Sequence, residues 1–401
     1  MLKMILILKI TARALRQPAF AIGLLIAACT SRPPKPDGGE PNMTSRAAVV
    51  TAAAECAIAS AKEFQAAAEA LKAAAAEYAA SPGDITKATA REAFHAASDA
   101  WQVNEQLQFG PAAPSNMPGG NDMRDQIYAW PLVSRCAVEE SIVAKTWESG
   151  VHTMLINRRG MPALEYLLFY EGDDTACGPT SPIVAQGTWA ALSTQERAAR
   201  RRAYAAAVAA DVTVWAGDLV AQWEGGFKDD MLTAGTGSTL FGTTQAALNV
   251  VSDALFYIDK QVKHGKVARP LGLEECADTT CPELLESQFA GRSKRNIEKN
   301  VVGLKRLLRG CAADHSGVGF DDLLNAVGAE QVALQMNERT DAIQTALDAI
   351  DEADLRATLV TDTASLLEVH GKLSVLGSLL KTEFLTVLDL ELPKTLEGDN
   401  D

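Results

Sequence analysis

Apolar residues recur along this chain at helical spacing, and almost nowhere do they alternate as a strand would. From Arg46 to Ala80 the sequence is alanine-rich, with Phe64, Leu71 and Tyr78 one heptad apart along a single seam. Ser81-Pro82-Gly83-Asp84 stops that helix, and Asp84 is placed to cap the next. The second helix carries Phe94, Ala97, Trp101 and Glu105 towards Phe109 and ends before Pro111. Short helical pieces over 127–147 are interrupted by Pro131. A helix starts at Pro162, where a first-turn proline loses no needed hydrogen bond. Ser193-Thr194-Gln195-Glu196 has capping-box spacing and opens a helix that Gly225-Gly226 should stop. Later helical patterns run over 243–263, 282–308, 320–350 and 362–388. The pattern predicts an all-α protein of two packed helical bundles, 46–225 and 226–395.

The first residues follow another logic. Lys3, Lys9, Arg13 and Arg16 precede an apolar stretch that ends Ile26-Ala27-Ala28-Cys29. A basic start, a short apolar core and small residues before a cysteine read as a secretory signal over 1–28. The interspersed cations argue against a continuous span, which needs about 20 mostly apolar residues. The ending resembles a bacterial lipobox, so Cys29 is the expected lipidation site and the membrane the expected partner through that anchor. Residues 29–45, with Pro33, Pro34, Pro36 and Pro41, read as an extended tether. Thr30 lacks the Asp of an inner-membrane retention signal, so the expected address is the outer membrane, facing the periplasm.

Beyond Cys29 the cysteines are Cys56, Cys136, Cys177, Cys276, Cys281 and Cys311. An even number in an exported chain predicts disulfides, though sequence does not fix their connectivity. The pairs favoured here are Cys56 with Cys136, Cys276 with Cys281 across a small loop, and Cys177 with Cys311 by elimination. Removing the four leader cations takes the formal net charge from −14 to −18. So acidic a chain is a poor nucleic-acid binder, because phosphate recognition needs a cationic surface.

Candidate chemistry is sparse. None of His95, His152, His264, His315 and His370 is followed by Glu three residues on, and no His-Glu-x-x-His occurs. A zinc hydrolase needs three protein ligands and an open position for water, and no local spacing supplies them. Glu165 stands out as a carboxylate early in an apolar helix. The bland reading is a first-turn acid favoured by the helix dipole. If buried, it needs a partner, and Arg158 and Arg159 are the nearest cations in sequence. No Gly-x-Ser-x-Gly and no phosphate-binding glycine loop is present.

The run Gly160-Met161-Pro162-Ala163-Leu164-Glu165 resembles the Gly-x-His-x-x-Glu signature of the imelysin family, with Pro162 in place of the histidine. That family comprises bacterial envelope proteins first described as insulin-cleaving peptidases and often linked to iron uptake. Trp101 to Glu105 with Phe109-Gly110-Pro111, Trp130-Pro131 and Glu286 to Ser293 resemble further family elements. The resemblance implies two helical bundles with a cleft between them, lined by Trp130, Glu165, Glu286, Ser287 and Ser293. It points to iron or another metal as ligand and to iron-uptake or other envelope proteins as partners. The missing imidazole removes a metal ligand and a general base together. A non-catalytic ligand-binding lipoprotein is therefore expected, with a metallopeptidase or a structural, partner-binding envelope protein as rivals. The bland alternatives are core packing for Trp101 and Trp130 and a solvated basic face for Arg292 to Arg295.

Overall fold

The computed structural model describes residues 45–393; the leader, Cys29 and all of the tether but Ser45 lie outside them. Among the described residues every regular element is helical. Helix α1 spans Arg46–Ala80, and Ser45 caps it by accepting from the Ala48 N–H. Phe64 and Leu71 are fully buried on its seam, while Tyr78 is half-buried at its far end. The alanines explain the rest of that face. Ala54, Ala57, Ala61 and Ala68 are buried, and such small side chains let α1 lie close against two neighbours. Those neighbours are α2, Asp84–Glu105, and the long helix Thr194–Gln222.

Two helix starts show how local chemistry sets the boundaries. Ser193 and Glu196 form the predicted reciprocal capping box, with bonds of 3.2 and 3.0 Å. At α2 the cap position is Gly83, whose N–H donates to Thr86 Oγ1; Asp84 is the first helical residue, not the cap. Gly225-Gly226 also differs from expectation. Gly226 takes φ 142° and bends the long helix, but helical turns resume over Lys228–Leu232.

The later elements include Thr244–Leu255, a widened helical run Ile258–Ala268, Ser293–Arg309, Glu330–Asp348 and Thr363–Leu379. The continuous helix expected over 282–308 is broken. A single turn, Pro282–Leu284, gives way to a loop, and the helix begins at Ser293. Ser287 and Gly291 both sit at positive φ in that loop, which no helix accommodates.

The Ser293–Arg309 helix packs against α2, and Gly303 permits it: a Cβ there would stand 2.6 Å from the Val103 carbonyl oxygen. A polar cluster is sealed into this seam. Lys266 Nζ donates to Gln102 Oε1 at 2.7 Å and Asn300 Oδ1 at 2.8 Å, and lies 3.0 Å from Glu286 Oε1. All four residues are at most 1% exposed, so the lysine's charge is compensated by partners buried with it.

The disulfides correct the expected pairing. Cys276–Cys281 forms as expected, but the others are Cys56–Cys311 and Cys136–Cys177. Cys56 lies on α1 and Cys311 just past the Ser293–Arg309 helix, whereas Cys136, on the helix Arg135–Ala144, meets Cys177 in the segment that follows the helix Gly160–Phe169. Helix packing brings these partners together, and periodicity carries no record of it.

Candidate functional site

The signature helix runs Gly160–Phe169, starting two residues before Pro162. Gly160 is required there: its φ is +77°, and a Cβ would sit 2.7 Å from the Ile127 carbonyl oxygen. Met161, Leu164 and Leu168 bury one side of the helix. Glu165 is only 4% exposed, and its partner is neither Arg158 nor Arg159. Its Oε1 accepts from the backbone N–H groups of Phe289 at 2.8 Å and Ala290 at 2.9 Å. The interrupted helix over 282–308 is what makes this possible, because helical amides would be engaged within their own helix.

Burial pushes the Glu165 carboxyl up to about 7, against the opposing pull of the two amides and the Ser287 side chain. The Ser287 hydroxyl falls short of well-formed hydrogen-bond geometry, yet its dipole favours the anion. Nearby Glu286 adds to the rise. Glu165 therefore changes charge near neutrality, unlike an ordinary carboxylate.

Glu165 lines a cleft of about 230 Å³ with Trp130, Pro162, Tyr166, Ser287 and Phe289, and with Arg135 among the remaining lining residues. Trp130 is half-buried on this wall, whereas Trp101 is a core aromatic packed on Phe64 and Tyr128. Glu286 is turned away from the cleft. Its carboxylate accepts from Tyr128 Oη at 2.7 Å and Gln102 at 3.2 Å beside Lys266, inside the sealed seam. Burial and the Glu286 charge push the Tyr128 phenol well above its ordinary value, keeping it a donor. Ser293 Oγ donates to the Glu286 carbonyl at 2.6 Å, so it pins the loop and does not face a ligand.

Arg158 pairs with Glu140 at 3.1 Å, and Arg159 with Asp211 at 3.3 Å and the Met154 carbonyl at 2.9 Å. Both differ from the sequence reading, in which either could serve as the partner of Glu165 and line its cleft. Arg292 and Arg295 are not a free basic face either; with Lys299 they converge on Asp99, whose carboxyl is held below its usual range.

Arg135 and Tyr166 were not legible as site residues. Arg135 bonds Glu139 and Asp174, each at 2.8 Å, and lies over the Tyr170 ring at 4.1 Å. The spacing of Arg135 and Glu139, one helical turn apart, is the signal that could have placed them on one face.

A metal finds little support in this donor set. The residues lining the cleft supply one carboxylate, the hydroxyls of Ser287 and Tyr166, the Gln288 amide and no imidazole, and Pro162 stands where the signature histidine would be. Catalytic zinc, with three protein ligands, does not fit these residues. Elsewhere among the described residues, Cys136, Glu140 and Cys177 have potential ligand atoms within 4.8 Å of one another, but both sulfurs are consumed in a disulfide.

Comparison with known proteins agrees with the all-helical fold. The Imelysin family model, peptidase M75, matches residues 57–370. Iron-regulated protein A of Synechococcus elongatus is 24% identical over 306 residues, covering 75% of this chain and 72% of that protein. Among solved structures, an iron-regulated protein A precursor from Parabacteroides distasonis superposes with a TM-score of 0.66 at 18% identity, covering 88% of this chain and 96% of that one. An imelysin-like protein from Psychrobacter arcticum gives 0.62 at 16% identity, with 87% and 98% covered.

Proposed function

The chain belongs to the imelysin family, and on that footing we propose that it is a non-catalytic envelope protein that binds an iron-related ligand in the cleft over Glu165. One observation carries the reading. A carboxylate that burial has raised to about 7 is held by two backbone amides at the wall of an otherwise mostly apolar cleft. Such a group accepts a donor or a cation from a ligand and gives up its proton in doing so. A bare hard cation needs several oxygen ligands, so a single carboxylate suits a ligand that brings most of its own donors, such as a chelated ion. The relatives named for iron regulation support the iron link.

Protein isolated from the envelope without added metal is expected to retain iron, and to leave a peptide substrate uncleaved. Glu165→Gln isolated the same way should lose that iron, its affinity falling roughly ten- to a hundred-fold with the charge-assisted bond. Equal iron in the two proteins, or stoichiometric zinc with chelator-sensitive cleavage, refutes the reading.

The three disulfides and the leader support an oxidising compartment outside the cytoplasm, with Cys29 lipidated and the chain tethered to the outer membrane. Mass spectrometry of the mature N-terminus should find Cys29 as the first residue carrying lipid. An unmodified Cys29 in membrane-extracted protein would exclude the anchor.

A further inference from the structure

A second concavity, of about 200 Å³, lies beside the C-terminal end of the signature helix and shares no lining residue with the Glu165 cleft. Lys87 and Arg91 of α2 line it, as do Arg201 and Arg202 of the long helix Thr194–Gln222. Four cations in one hollow are unexpected on a chain with a net charge of −14.

Their compensation is incomplete. Lys87 and Arg91 share one carboxylate, Glu171, whose side chain is 61% exposed. Asp173, the other acid in the lining, is engaged by Thr194 Oγ1 at 2.6 Å and Arg197 Nε at 3.1 Å. Arg201 is 5% exposed, yet among the described residues no carboxylate oxygen comes within 4.0 Å of it. Its guanidinium donates to the Gly172 carbonyl at 2.8 Å, the Tyr166 hydroxyl at 3.3 Å and the Tyr170 carbonyl at 3.5 Å. Among the described residues the buried Nε atoms of Arg201 and Arg202 find no hydrogen-bond partner, and Arg202, over the Tyr78 ring at 5.7 Å, finds no ion pair.

A buried guanidinium lacking a counter-charge is costly, and dipoles and aromatic faces offset only part of that cost. We propose that this concavity binds a small multivalent oxyanion, with the Arg201 and Arg202 guanidinia and Lys87 as its partners. Guanidinium groups suit phosphate and carboxylate alike, because their planar forks match either pair of oxygens. Thr194 adds a hydroxyl to the wall. Glu171 competes with the incoming anion for Lys87 and Arg91, and its exposure lets it move to solvent when displaced.

Calorimetric titration of the soluble chain with inorganic phosphate, and separately with citrate, tests the site. Saturable one-to-one binding of at least one probe is expected, weakening as salt is raised. Phosphate alone binding would assign the site to phosphate groups; citrate alone would assign it to carboxylates. Lys87→Ala and Arg202→Ala should each weaken binding about tenfold with circular dichroism unchanged, and Glu171→Gln should tighten it. Neither Lys87→Ala nor Arg202→Ala should alter iron retention at Glu165. Failure of both probes to saturate, or indifference of the affinity to both cation substitutions, overturns the proposal.

Discussion

Replacing Glu165 by glutamine should stabilise the protein by roughly 3 kcal/mol at about pH 8 and leave it almost unchanged at about pH 4. The folded carboxyl titrates near 7, well above the 4.5 of an exposed glutamate, because burial disfavours the anion. A group whose folded value is raised contributes its full stability below the unfolded value and loses it as pH climbs through the folded one. Wild-type stability should therefore fall more steeply than that of the variant between about 4.5 and 7, because the variant has no carboxyl at 165 to ionise. Glutamine can still accept from the Phe289 and Ala290 amides, so the clasp survives. Asp253 is also raised to about 7, by burial and by Glu391, but it titrates in both proteins and drops out of the comparison. Urea midpoints measured across this range provide the test. Parallel curves for the two proteins would show that Glu165 ionises like an exposed acid.

Cutting the Cys56–Cys311 bridge should cost more than any other single change considered. The bridged residues are 255 positions apart, against 5 for Cys276–Cys281. Loop-closure entropy gives about 5 kcal/mol for the first and about 2 kcal/mol for the second. Denaturant titration of the two double-alanine variants compares them directly. Equal losses would mean that the long loop is already restricted in the unfolded chain.

What the sequence made legible follows from the range of the forces involved. The α1 boundaries and the Ser193–Glu196 box depend on neighbours within a turn or two, and both were readable. The break after Leu284 was not. The 285–292 loop holds its shape because Glu165 takes two of its amides and Ser293 takes the Glu286 carbonyl, one of these ties spanning more than a hundred residues. Gly291, at positive φ within an expected helix, was the local sign of trouble. Lys266 was equally hidden: a cation between Val262 and Val267 looks like a solvated face until Gln102, Asn300 and Glu286 converge on it. Glu165 itself was singled out from its motif. Its partners were misassigned because proximity in sequence favoured Arg158 and Arg159, while packing delivered backbone amides from a distant loop.

That clasp also bears on how descendants of this sequence can drift. An N–H group is present at every position except proline, so the identities of residues 289 and 290 are nearly invisible to the bond they make with Glu165. As far as that bond is concerned, lineages can rewrite those two letters under a single prohibition: neither can become proline while the carboxylate is kept.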